Sequence, residues 1–401
     1  MPTERSRRTG REPVRARAGL AESFSLRARD KPRPVSEHAK VCGHLIVGGF
    51  DGTTLPDDVA RALAAGQRAG VILFRRNLAY ADGVLDVEQV VAQNRAIITA
   101  TKDLDDPPFI AVDQEGGKVA RLRAPVLELP PMRSLAAHGD PDLTARVGEE
   151  LGRQLAALGF NLNFAPVMDV DSNPENPIIG DRSFGRDPRT VMRHGVAFVC
   201  GLQAAGVLAC AKHFPGHGDT SVDSHLELPV VDADMARLAQ IELPPFRAAS
   251  GAGVASMMTA HVVYKGIDPT VPATFSRRIC EDLLRREIGF EGVLFSDDLE
   301  MGAIAKHGSV EDAAIRAIEA GCDVLLVCSD VAAQERVFET LVREAEQNTG
   351  FFERCRVAAA RSQRVRNLAP PRLEGDSARL RSILGSLPAR ELARRIAAEP
   401  A

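Results

Sequence analysis

Short apolar runs recur along the chain, and each gives way to a more polar, helix-compatible segment. The first four are "CGHLIVGGF" (42–50), "GVILFRRN" (70–77), "PFIAVDQEGG" (108–117) and "FNLNFAPVMDV" (160–170). The next four are "GVLACAKHF" (206–214), "ASMMTAHVV" (255–263), "GVLFSDDLEM" (292–301) and "CDVLLVCSD" (322–330). Most are continuous aliphatic or β-branched stretches rather than alternating ones, the pattern of parallel strands covered on both faces. The intervening segments carry helical periodicity, most clearly "DLTARVGEELGRQLAALGF" and "SVEDAAIRAIEAG". The second opens with Ser-x-x-Asp, a variant of the capping box, and ends on glycine. Strand–helix alternation implies a parallel sheet. Eight repeats predict an α/β fold, a single (β/α)8 TIM-type barrel, rather than an open doubly wound sheet. No glycine-rich dinucleotide fingerprint follows the first strand, which further disfavours the open sheet.

The polar residues collect at the carboxyl ends of these runs. Asp113 and Glu115 close the third, Lys212 and His213 the fifth, His261 the sixth, and Asp297 and Asp298 the seventh. Barrel enzymes keep their active sites on this rim. A lone carboxylate there is as readily explained as the cap of the following helix. Four strands ending this way together point to a site, because a structural protein has no reason to load one rim with groups that are costly to desolvate.

Length and charge refine the picture. A chain of 401 residues suits one large barrel or two average domains. We expect the barrel over 41–370, between a basic, disordered extension (1–40) and a helical tail packed on the barrel (371–401). The net charge of −4 hides an asymmetry: residues 1–40 carry +6, which leaves −10 for the rest. An acidic remainder argues against nucleic-acid or membrane partners. The basic head lacks the apolar segment of a secretory signal peptide. No run approaches the roughly 18–20 apolar residues of a membrane span. The seven cysteines are odd in number and form no metal or redox motif. They read as small buried hydrophobes in a reducing compartment, so a cytoplasmic location is expected.

"KHFPGHGDTSVDSH" (212–225) concentrates three histidines, two aspartates and a lysine on a segment that "FPGHG" keeps from being helical. His213, His217, Asp219 and His225 are conceivable metal ligands, but "FPG" removes the i, i+4 helical geometry of a zincin. The first strand offers only His44, near its beginning. A phosphate cradle fits poorly, since acids interrupt the glycines and no helix starts directly after them. Acid–base chemistry without metal or organic cofactor is what remains. In an extended "DSH", Asp223 and His225 share a face, so the carboxylate can orient the imidazole and stabilise its protonated form. Asp297, at the end of a very apolar strand, can point into the barrel mouth. A nucleophilic carboxylate with a separate acid/base is the minimal machinery for glycosyl transfer with retention. A loop histidine satisfied by a neighbour is the plainer account of His217.

These segments resemble the family 3 glycoside hydrolases, in particular the bacterial β-N-acetylhexosaminidases that recycle peptidoglycan. "AVDQEGGKVARL", "NPIIGDRSFGRDP", "KHFPGHGDTSVDSH" and "FEGVLFSDDLEM" carry the resemblance, in order, within about residues 42–345. It implies Asp297 as nucleophile and His225 as acid/base, assisted by Asp223. Sugar-binding roles fall on Asp113, Arg121, Arg182, Lys212 and His213. Other branches of the family add a sandwich domain that supplies the acid/base; about 70 residues after the last strand are too few for one. Lys118 stands where relatives usually show arginine. The implied protein is a monomeric retaining exo-β-N-acetylglucosaminidase acting on small N-acetylglucosamine-containing substrates such as muropeptides. A phosphorylase on the same site and a non-catalytic sugar-binding barrel are the alternatives.

Overall fold

The computed structural model describes residues 36–223, 227–306 and 308–398. Eight parallel strands close into a barrel: β1 (Ile46–Gly48), β2 (Gly70–Leu73), β3 (Phe109–Val112), β4 (Leu162–Asn163), β5 (Leu208–Phe214), β6 (Ser256–Thr259), β7 (Val293–Asp298) and β8 (Val324–Val327). Each pairs with its neighbours in sequence, and β1 meets β8 with Ile46 opposite Leu325. The (β/α)8 barrel expected from the sequence is therefore the fold.

The apolar runs divide by parity. On β3, Phe109 and Ala111 join the cluster inside the barrel, while Ile110 and Val112 join the larger one between strands and helices. On β7, Val293 and Phe295 point in and Leu294 points out. Period-2 alternation on a strand buried on both faces produces this division. Phe295 meets Phe109 and Phe164 edge-on, at ring-centroid distances of 5.5 and 5.2 Å. These three rings form an aromatic layer across the barrel interior.

The run 160–170 yields only a two-residue strand and an isolated bridge between Val167 and Lys212. Pro166 lacks an N–H and interrupts the ladder there. The helix Val310–Ala320 has the predicted ends: the Ser309 hydroxyl accepts the N–H of Asp312 at 3.1 Å, and Gly321 takes φ 129°. Helix Glu37–Gly43 starts inside the segment expected to be a disordered head, so residues 36–40 belong with the barrel. This helix has something to pack on: the His38 ring meets that of Phe352 at a centroid distance of 4.3 Å, tilted by 46°. The rest of that head, residues 1–35, lies outside the described residues. At the other end, helices Ser377–Leu384 and Leu387–Ala397 bury Leu380, Leu384 and Ile396. Their link to helix Pro141–Ala157 includes a Ser386–Glu150 hydrogen bond of 3.2 Å. All seven cysteines are free thiols, and all but Cys200 are buried.

Candidate active site

The parity that fills the barrel also aims the site. Asp113 continues the inward face of Phe109 and Ala111, and Asp297 continues that of Val293 and Phe295. Both line a cavity of about 310 Å3 at the carboxyl ends of the strands, together with Glu115, Arg121, Arg182, Lys212 and His213. The structure thus gathers six of the expected residues, Asp113, Arg121, Arg182, Lys212, His213 and Asp297, around one space. His225 lies outside the described residues. Asp223 is half-buried, and its carbonyl accepts the N–H of Glu227 at 2.9 Å.

Charge pairing fixes one wall of the cavity. Arg182 clamps Glu115 through Nε and Nη2, each at 2.8 Å. Lys212 Nζ lies 2.7 Å from Glu115 and 3.0 Å from Asp113. Arg121 reaches the other oxygen of Asp113 at 3.2 Å and covers the ring of Phe74 at 5.6 Å. Burial alone would raise the Glu115 pKa, but the charges of Arg182 and Lys212 outweigh it and hold the carboxyl well below its usual range. Burial likewise opposes the charge on Lys212, and Asp113 and Glu115 restore it. Glu115 is therefore locked as an ionised partner of cations. Three cations face two carboxylates here, a net +1 before Asp297 is counted.

At the end of β7, Asp297 accepts the N–H of Asp298 at 2.8 Å. Burial opposes its ionisation, but His261, His213 and Lys212 together hold its pKa below the ordinary value. Asp298 also lines the cavity, but its carboxylate is engaged by the backbone, accepting the N–H groups of Glu300 at 3.1 Å and Cys328 at 3.3 Å. Burial, with Glu300 and Asp297 nearby, pushes its pKa up to about 7. His261 holds the chain at this point through Nε2, 2.9 Å from the Asp298 carbonyl, and Nδ1, 2.7 Å from the Thr274 hydroxyl.

Two buried carboxylates escaped the sequence reading. Asp169 accepts the Nδ1–H of His213 and the backbone N–H groups of His213 and His217. Glu242 lies under the same loop with one oxygen on Ser172 at 3.1 Å and the other without a hydrogen-bond partner. A signal existed for Asp169, since an acid inside "NFAPVMDV" must find donors if that run is buried. Glu242 gave none. His217 fits the plainer account, with Nδ1 3.0 Å from the Thr220 hydroxyl; burial first, then His213, lowers its pKa to about 4. Among the described residues, no three His, Cys, Asp or Glu side chains converge as metal ligands.

A barrel mouth that holds one carboxylate ionised beside fixed cations and carboxylates suits a hydrolase of polyhydroxylated substrates, and comparison with known proteins gives that class its proper name. Residues 42–365 match the N-terminal domain of glycosyl hydrolase family 3, and the protein is a glycoside hydrolase belonging to that family. Within it, the chain is of the β-hexosaminidase type. It is 38% identical over 297 residues to a β-hexosaminidase of Nitrosomonas eutropha, spanning 72% of this chain and 82% of that protein. A family 3 β-N-acetylglucosaminidase from a Paenibacillus species superposes with a TM-score of 0.82 at 38% identity, covering 90% of this chain and 68% of the other. NagZ from Neisseria gonorrhoeae, solved in complex with N-trifluoroacetyl-D-glucosamine, superposes with a TM-score of 0.63 at 33% identity, covering 79% and 97%.

Proposed function

We propose that the protein is a cytoplasmic, monomeric retaining exo-β-N-acetylglucosaminidase. It removes terminal N-acetylglucosamine from peptidoglycan fragments or related oligosaccharides. The ionised Asp297 lining the cavity at the barrel mouth carries this reading. A cavity at the end of the barrel can accept a chain end, and a carboxylate that is already anionic can attack the anomeric carbon. Asp113, Arg121, Arg182, Lys212 and His213 hold the sugar hydroxyls by charge-assisted hydrogen bonds. The Neisseria relative, solved with an N-acylated glucosamine, supports this choice of sugar. The free thiols of all seven cysteines support a reducing compartment.

In the first step the Asp297 carboxylate forms a bond to the anomeric carbon while the glycosidic bond breaks. His225, oriented by Asp223, gives its proton to the departing oxygen. In the second step His225 takes a proton from water, the water oxygen bonds to the same carbon from the opposite face, and Asp297 is released. Two inversions leave the configuration retained. Incubation with a slow fluorinated N-acetylglucosaminide, followed by peptide mass mapping, tests this: the sugar is expected on Asp297. Release of the inverted sugar, or a label on another residue, would sink the reading. Full turnover in phosphate-free buffer separates hydrolysis from phosphorolysis.

A further inference from the structure

We infer that Asp169 is a positioning residue for this reaction: one buried carboxylate fixes the ring of His213 and ties down the base of the loop leading to Asp223 and His225. The inference rests on the proposed sugar-binding role of His213. Asp169 has no solvent exposure and does not line the cavity, whereas His213 does. Its Oδ1 lies 2.7 Å from the backbone nitrogen of His217 and 3.0 Å from that of His213. Its Oδ2 lies 2.7 Å from His213 Nδ1. A carboxylate that collects two backbone N–H groups is held ionised, and an ionised carboxylate is acceptor-only. Nδ1 of His213 must therefore carry a hydrogen, which leaves Nε2 as the ring nitrogen turned to the cavity. Burial opposes the charge on Asp169, but His213 and His217 more than compensate and hold its pKa low.

The same contacts govern the loop. His213 ends β5 and His217 lies four residues on, so one side chain pins both sides of the turn through "FPG". The next residue, Gly218, packs so closely that a Cβ there would meet the Val170 carbonyl at 1.5 Å. Asp169 thus holds together the strand end that presents Lys212 and His213 and the segment that runs on to Asp223. Its role toward the imidazole resembles that of the aspartate in a hydrolytic triad, which sets tautomer and orientation without exchanging a proton with substrate.

An asparagine at this position separates the two duties. Its oxygen can still accept both backbone N–H groups, but its amide would face Nδ1 with a donor and drive the imidazole to the opposite tautomer. In nitrogen-resolved NMR of the free protein, His213 is expected to carry its hydrogen on Nδ1, and Asp169→Asn is expected to move it to Nε2. kcat/KM should fall at least about tenfold by analogy with a triad aspartate. In a His213→Ala background, Asp169→Asn should cost little more, because its effect passes through the ring. A wild-type His213 hydrogenated only on Nε2 would overturn the inference. So would an unchanged kcat/KM with the tautomer flipped, or equal losses with and without the His213 ring. Should Asp169→Asn fail to fold, the wild-type tautomer still decides. The tautomer is read without substrate, and the rate ratios hold for any glycoside the wild type cleaves. An error over Asp297, His225 or the sugar would therefore leave both readouts intact.

Discussion

Asp297 and Asp298 are adjacent carboxylates in opposite electrostatic settings. Alternation along β7 sends the first into the mouth among His261, His213 and Lys212, and the second toward Glu300 and the backbone of Cys328. Hence the pKa of Asp297 is depressed while that of Asp298 rises to about 7. Both line the cavity, but of the two only Asp297 is fully anionic at neutral pH, as a nucleophile must be. Asp297→Ala is therefore expected to abolish turnover and covalent labelling together, whereas Asp298→Asn should leave the label on Asp297. The acid/base assignment makes a different demand. A leaving group that departs as a stable anion needs little proton donation. His225→Ala should then cost far more on natural disaccharides than on nitrophenyl glycosides, with a burst as the glycosyl-enzyme accumulates. Equal losses across leaving groups of different pKa would reduce His225 to a sugar ligand.

At the scale of elements, the loop after β5 depends on what lies beneath it. Gly216 sits at φ 132°, and a Cβ there would meet Glu242 Cβ at 2.7 Å; the Gly216 carbonyl accepts the Tyr264 hydroxyl at 2.7 Å. Gly218 must stay glycine for space, so Gly218→Ala should lift the loop and lower kcat/KM sharply while the barrel's circular dichroism persists. Overpacking of this kind costs about 1–3 kcal/mol. Glu242 adds a pH dependence. Burial raises its pKa to about 7, and Arg237, shared with Asp219, only partly offsets this. A carboxyl with a raised pKa binds its proton more tightly folded than unfolded. Stability is then greatest below about 4.5 and falls as pH rises toward about 7, by on the order of 2 kcal/mol. Glu242→Gln should flatten that slope, seen as a smaller drop in melting temperature between pH 5.5 and pH 8. Such a residue was not legible beforehand. The strands could be read because burial on both faces leaves continuous apolar runs. Asp113, Lys212, His213 and Asp297 could be read because they end those runs. Glu242 sits before a helix in "QIELPPF", and it is buried under residues distant in sequence, Gly216 and Ser172 among them. His261 was legible as a strand-end residue, but its grip on the Asp298 carbonyl needs Thr274, which no local pattern connects to it.

From 36 to 398 the described residues form a barrel with two helices added after residue 376, and we propose that neither these helices nor the basic head serves the chemistry. The first helix begins at Glu37, and no proposed site residue precedes it. Deleting residues 1–34 should leave kcat and KM within about twofold, since no proposed site residue lies there. Loss of folding or activity would show that the basic head docks on the barrel. The aromatic layer of Phe109, Phe164 and Phe295 has a consequence for traffic. Phe164 lines the cavity, and we propose that the packed rings close it toward the barrel's lower end. The site has one door. On the proposed mechanism, the released aglycone must leave by the opening through which the next acceptor arrives, and both compete for the same approach to the glycosyl-enzyme. A small alcohol added at molar concentration should therefore intercept the intermediate in proportion to its share of the queue, giving alkyl β-N-acetylglucosaminides measurable by mass spectrometry. Crowded with its own product, the enzyme would run partly backward and rebuild the bond it had just cut.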